Sequence, residues 1–125
     1  GPEGVGNDSI SQIAKESSEG LLVTLPKSFD QDPANVALAD AFKAKKEDPS
    51  GPFVFPSYSA VEVIAEGIKA AKSEDAAKVA EAIHAGTFKT PTGDLSFDAK
   101  GDLKDFKFVV YEWHFGKPKT EVSPQ

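Results

Sequence analysis

The sequence predicts an α/β fold, and three observations carry that prediction. Segments with apolar residues three and four apart, the helical period, are interspersed with two runs that read as strands, LLVTLP and FKFVVYEWHF. Most helical segments carry their own start or stop signals. The chain also opens in a glycine turn, GPEGVG, of the kind that normally follows a strand, so it reads as the latter part of something larger.

The elements follow in order. Asn7 or Asp8 is expected to cap a short helix through SISQIAKES, because either side chain can accept the orphan amides of the first turn. Ile10 and Ile13 fall three apart, on one face of it. Gly20 ends the helix, and residues 21–26 (LLVTLP) read as a buried strand stopped by Pro26. After a polar connection, Asp32-Pro33 matches a capped helix start with proline at the first position. That helix runs through NVALADAFKAKKE, with Val36, Leu38, Ala39 and Phe42 as its apolar stripe.

DPSGPF is a loop dense in turn formers. PSYSAVEVIAEGIKAAK then predicts a helix whose buried face is Val61, Ile64, Ala65 and Ile68, with Tyr58 one turn earlier. A shorter helix follows through SEDAAKVAEAIHAG, with Ser73 as cap and Gly86 as stop. From Thr87 the character becomes β-rich, and DAKGD makes a tight turn. In FKFVVYEWHF, Phe106, Phe108, Val110, Glu112 and His114 point one way; Lys107, Val109, Tyr111 and Trp113 point the other. Bulky residues on both faces predict a strand covered on both sides for part of its length. KPKTEV is a candidate final strand.

Composition narrows the function classes. At 125 residues the chain can bury the core of one ordinary domain. Polar interruptions every few residues exclude a membrane-spanning helix. A net charge of −6 argues against nucleic acid as a partner, and all fourteen basic residues are lysines, so no guanidinium can grip phosphate or guanine bidentately. There is no cysteine, which removes disulfides, thiolate metal sites and a thiol nucleophile. There is also no methionine, so the sequence reads as a processed chain, a fragment or an edited one.

No constellation of residues supports catalysis. His84 and His114 lie far apart, without the companion ligands of a metal site. Asp94, Asp98, Asp102 and Asp105 cluster around a turn, but Lys100 stands where a calcium loop needs a ligand. A solvated turn, with Asp side chains bonded to its own amides, is the expectation there. There is no G-x-S-x-G elbow, and the G-x-x-G-x-G spacing of the opening turn is not the dinucleotide fingerprint. No cofactor, metal or enzymatic activity is therefore expected. Glu3 sits in that opening turn, where a carboxylate would repel phosphate and suits a cation such as an α-ammonium. From spacing alone, an ordinary exposed glutamate fits as well.

GPEGVGN, SEGLLVTLPKSFDQDPAN, KKEDPSGPFVF and TPTGDLSFDAKGDLKDFKFVVYEWH together resemble the C-terminal portion of the periplasmic leucine/isoleucine/valine-binding proteins of ABC transporters. The resemblance implies a type I periplasmic binding protein: two Rossmann-like lobes joined by hinge crossovers, incomplete in this chain alone. It implies that residues 1–26 belong to the second lobe, 27–105 to the first, and 106–125 return to the second. It makes Glu3 the ligand's ammonium partner and Phe53, at a position often occupied by tyrosine, part of the side-chain pocket. It leaves Tyr58 to packing. The implied partners are a branched-chain amino acid, the transporter's membrane subunits, and a complementary N-terminal chain or a second copy of this one. The implied compartment is the periplasm. The alternative is a proteolytic or engineered fragment in a non-native assembly, with no ligand binding of its own.

Overall fold

The computed structural model describes residues 1–122, and of Glu3 only the backbone. The elements are α1 (Ser9–Ala14), β1 (Leu22–Pro26), α2 (Val36–Ala44), α3 (Val54–Ala71), α4 (Ala76–Ala85), β2 (Phe88–Thr90), β3 (Gly93–Leu95), β4 (Phe108–His114) and β5 (Lys117–Glu121), with single 3-10 turns between some of them. They form two compact units. One joins Gly1–Ser28 to the chain from Lys107 onward, and the other is Phe29–Phe106. Among the described residues no helix is long and apolar enough to cross a membrane.

In the first unit, β1, β4 and β5 make an antiparallel sheet with β4 in the centre. The register sets Val23 opposite Tyr111 and Leu25 opposite Val109. Alternation therefore sends Val23, Leu25, Tyr111 and Trp113 to one face, where they form the core with Val5, Ile10, Leu21 and Val109 packed around them. The indole N–H of Trp113 donates to the Val5 carbonyl at 2.9 Å, which satisfies its one polar atom. The predicted alternation of this strand is the observed one. One expectation needs correction. β1 starts at Leu22; Val23, Leu25 and Pro26 are buried while Leu22 and Thr24 are exposed, because an antiparallel sheet can leave part of its second face open. On the second face of β4, Phe108 is 59% and Val110 39% exposed while Glu112 and His114 are half-buried, so cover on that side is partial along the strand.

At the N-terminal side, Asn7 Oδ1 accepts the Ser9 N–H at 2.9 Å, while Asp8 at the cap position makes no side-chain capping bond. The helix stops at Ala14 and passes into a 3-10 turn, Lys15–Ser18. Ile10 reaches the core, but Ile13 is 79% exposed, against the expected shared face. Gly20 takes a positive φ of 74°, the left-handed geometry that lets it end this segment.

In the second unit, Asp32 accepts the Ala34 N–H at 2.9 Å and Pro33 takes the first position, as the sequence predicts; a 3-10 turn then leads into α2. α4 is capped by Asp75, whose Oδ1 accepts the Lys78 N–H, and not by Ser73, which instead accepts the Asp75 N–H. The residues buried on α3 are Phe55, Ser59, Val63 and Gly67, a four-residue repeat that differs from the predicted stripe. Small Ser59 and Gly67 on that face explain the choice, because they let neighbours come close. A Cβ added at Gly67 would stand 2.6 Å from Ile83 of α4. Ser59 accepts a hydrogen bond from the Thr92 hydroxyl at 3.1 Å, and Asn35 donates to Pro91 at 2.8 Å, so the β2–β3 turn is fastened to α3 and to the start of α2.

Candidate functional site

Glu3 begins a 3-10 turn, Glu3–Val5. Its position is fixed by the backbone around it. The Gly1 amino group donates to the Leu22 carbonyl, the Thr24 N–H donates to the Gly1 carbonyl at 3.4 Å, and Val5 both closes the turn onto Pro2 and receives the Trp113 indole. The turn is thus moored to β1 and to the centre of the core. A side chain at Gly4 would meet nothing within 4 Å, so the turn has open space beside it. The Glu3 side chain lies outside the described part of the structure.

Phe53 occupies the cap position of α3 and is 43% exposed. Its loop is shaped by Asp48, whose Oδ1 accepts the Ser50 N–H at 2.9 Å. That backbone bond, and after it the Ser50 hydroxyl, hold the Asp48 carboxyl below the usual carboxylate range. The Val54 N–H then bonds the Gly51 carbonyl at 3.1 Å, and the chain turns into the helix. Beside Phe53 lies a shallow apolar cleft of about 620 Å³, wide open to solvent, bordered by Phe42, Val54, Ser57, Tyr58 and Val61 among others. Phe42 braces it: its ring centroid lies 6.2 Å from that of Phe55 and 6.1 Å, edge-on, from that of Tyr58. Tyr58 packs, as expected, and is also exposed to the cleft; Phe42, Ser57 and Val61 were not identified as cleft residues by sequence. Helical spacing was the available signal, since Ser57 and Val61 follow Phe53 at intervals of four. Glu3 and Phe53 belong to different units.

Of the remaining candidates, Asp98 and His114 make structural contacts. Asp98 Oδ1 accepts the N–H groups of Lys100 at 2.8 Å and Asp102 at 3.0 Å, the turn chemistry the sequence predicts. Those bonds, the Asp102 one first, lower the Asp98 pKa. His84 is exposed on the last turn of α4. His114 places Nδ1 3.1 Å from Glu19 Oε1 and Nε2 2.9 Å from the Thr120 hydroxyl. Among the described residues no group of three metal-binding side chains comes together.

The two units define an α/β architecture, and comparison with known proteins places it. The sequence profile of the periplasmic binding protein family matches residues 2–118, so the chain belongs to that family. It is 64% identical over 123 residues to the leucine-, isoleucine-, valine-, threonine- and alanine-binding protein of Pseudomonas aeruginosa, covering 98% of this chain and 33% of that protein. It is 50% identical to the Leu/Ile/Val-binding protein of Escherichia coli K12, with the same coverage of each chain. A solved leucine-binding protein from Thermotoga maritima superimposes with a TM-score of 0.78 at 24% identity, covering 98% of this chain and 35% of that one. The chain thus has the fold of a type I periplasmic binding protein and spans about a third of the length of the relatives it matches.

Proposed function

We propose that this chain is part of a periplasmic receptor that captures branched-chain amino acids and delivers them to the membrane subunits of an ABC importer, without catalysis of its own. In this reading Glu3 pairs with the ligand's ammonium and Phe53 contacts its aliphatic side chain. Residues 1–26 and 106–125 belong to the second lobe of the receptor and 27–105 to the first. The observation that carries the reading is the cleft at Phe53, walled mainly by aromatic and aliphatic groups. Covering such a wall with a branched aliphatic group gains ~25 cal/mol per Å² of apolar surface removed from water. The mooring of the opening turn to β1 and Trp113 supports the role of Glu3, because a carboxylate on a fixed backbone binds an ammonium at less entropic cost. The P. aeruginosa and E. coli relatives are named for ligands of this class.

The partner that completes the receptor is a complementary N-terminal chain or a second copy of this one. The test is therefore a chimera in which this chain replaces the matching third of the P. aeruginosa relative. Calorimetry with leucine is expected to show binding, and Glu3→Ala to weaken it by about 30-fold or more, since the ammonium would be left desolvated without its partner. Equal affinity of the alanine variant and its parent would refute the role given to Glu3.

A further inference from the structure

The chain passes from one unit to the other at Ser28–Phe29 and back at Phe106–Lys107. At the first crossing the backbone is tied on both sides of a single peptide bond. The β1–β4 ladder ends at the pair Pro26 and Phe108, and Lys27 is exposed. Two residues past the strand, the Ser28 N–H donates to the Tyr111 hydroxyl at 2.9 Å. Tyr111 belongs to the sheet core and is 4% exposed, with the Lys119 ammonium 6.0 Å from its ring centroid. Its hydroxyl therefore holds Ser28 from inside the core of the first unit. On the far side, the Phe29 carbonyl accepts the Asp32 N–H at 3.2 Å and the side-chain amide of Asn35 at 2.9 Å. Asn35 is buried and donates to the Pro91 carbonyl as well, so Phe29 is fastened within the second unit.

We propose that Ser28–Phe29 is a two-residue pivot of this crossing, and that Tyr111 is the positioning residue that sets its length. The proposal rests on the reading that the ligand is met by both units, through Glu3 in one and Phe53 in the other. Between the Ser28 nitrogen and the Phe29 carbonyl, only the φ and ψ of two residues are left to turn. Without the Tyr111 hydroxyl the loose stretch runs back to the end of β1, and Lys27 joins it. A ligand held by both units requires that stretch to be ordered. Each residue freed in the unliganded receptor has to be ordered again on binding, which weakens affinity.

Tyr111→Phe removes the hydroxyl and keeps the ring; amide hydrogen exchange and leucine calorimetry on the chimera read the result. The Ser28 amide is expected to exchange about 10-fold faster, the worth of one hydrogen bond. The Trp113 amide, bonded to the Leu21 carbonyl in the same unit, is expected to keep its rate. Leucine affinity is expected to fall by about 3- to 10-fold. Lys119→Met is the control, since it removes the cation over the Tyr111 and Trp113 rings without touching the Ser28 bond. It should leave leucine affinity within about twofold. A Ser28 amide whose exchange does not change overturns the proposal, and so does faster exchange with leucine affinity unchanged. An equal loss of affinity in Lys119→Met also overturns it, because the effect would then follow the stability of the unit. A parent chimera that binds no leucine at all overturns the reading beneath the proposal, and the pivot with it.

Discussion

The two carboxylate oxygens of Glu19 have separate partners. Oε1 meets His114 Nδ1 at 3.1 Å, and Oε2 accepts the Phe115 N–H at 2.8 Å. One side chain thereby fastens the turn before β1 to the turn between β4 and β5. Both bonds favour the ionised form, and they hold the Glu19 pKa below the ordinary carboxyl range, the His114 bond first and the Phe115 N–H second. A depressed folded pKa contributes stability that is fully present above the unfolded value and lost as pH falls through the folded one. The loss therefore begins below about pH 4.3, the value of a solvated glutamate. In an NMR titration the Glu19 carboxyl should titrate below the exposed glutamates, and the Phe115 amide should move along the same curve. Glu19→Gln should remove that movement; a Glu19 that titrates with the other glutamates would contradict the assignment. None of this was legible in the sequence, because Glu19 and His114 are 95 residues apart and only the sheet brings them together. Asp98 is the contrasting case. Its partners lie two and four residues on, and a local turn can be read from local residues.

At the scale of elements, the period of a helix was legible but not the face it would bury. α3 was predicted to bury Val61 and Ile64 because they are its most apolar stripe. Within its unit it instead turns Phe55, Ser59, Val63 and Gly67 inward, where missing side-chain volume lets α4 approach. Sequence periodicity ranks faces by hydrophobicity, whereas packing ranks them by fit to the neighbour present. Strand alternation fared better, since Tyr111 and Trp113 leave β4 little choice of inner face. Gly67 gives the packing account a sharp test. On an unpacked helix, Gly→Ala would stabilise by up to about 1 kcal/mol. Here the new Cβ would press on Ile83 at 2.6 Å and 2.9 Å, an overpacking that costs ~1–3 kcal/mol. Urea denaturation of Gly67→Ala should show net destabilisation, and Gly67→Ala with Ile83→Val should recover part of it. A stabilised single variant would mean that α3 and α4 do not pack this closely.

At the scale of the whole molecule, charge and turn context raised Glu3 only alongside an ordinary exposed glutamate, and the resemblance decided between them; Phe53 came from the resemblance alone. Each residue lies in a segment whose chemistry becomes specific only beside a ligand. The apolar stripes displaced from the interior carry the last consequence. In the unit Phe29–Phe106, Val61 is 67%, Val36 53% and Ile64 52% exposed. In the other unit, Leu22 is 47% and Val110 39% exposed on the same face of the sheet. Surfaces of this kind on one chain favour association, because each covered Å² of apolar surface returns ~25 cal/mol. Light scattering at micromolar concentration should therefore report at least twice the mass of one chain. Replacing Val61 and Ile64 together by lysine should shift the distribution toward the monomer without loss of helical signal, since neither side chain belongs to the buried face of α3. A monomer with a cooperative thermal transition at the lowest concentration measured would show that the exposed stripes need no partner. The reading of this chain as one piece of a receptor completed by another would then lose its physical support.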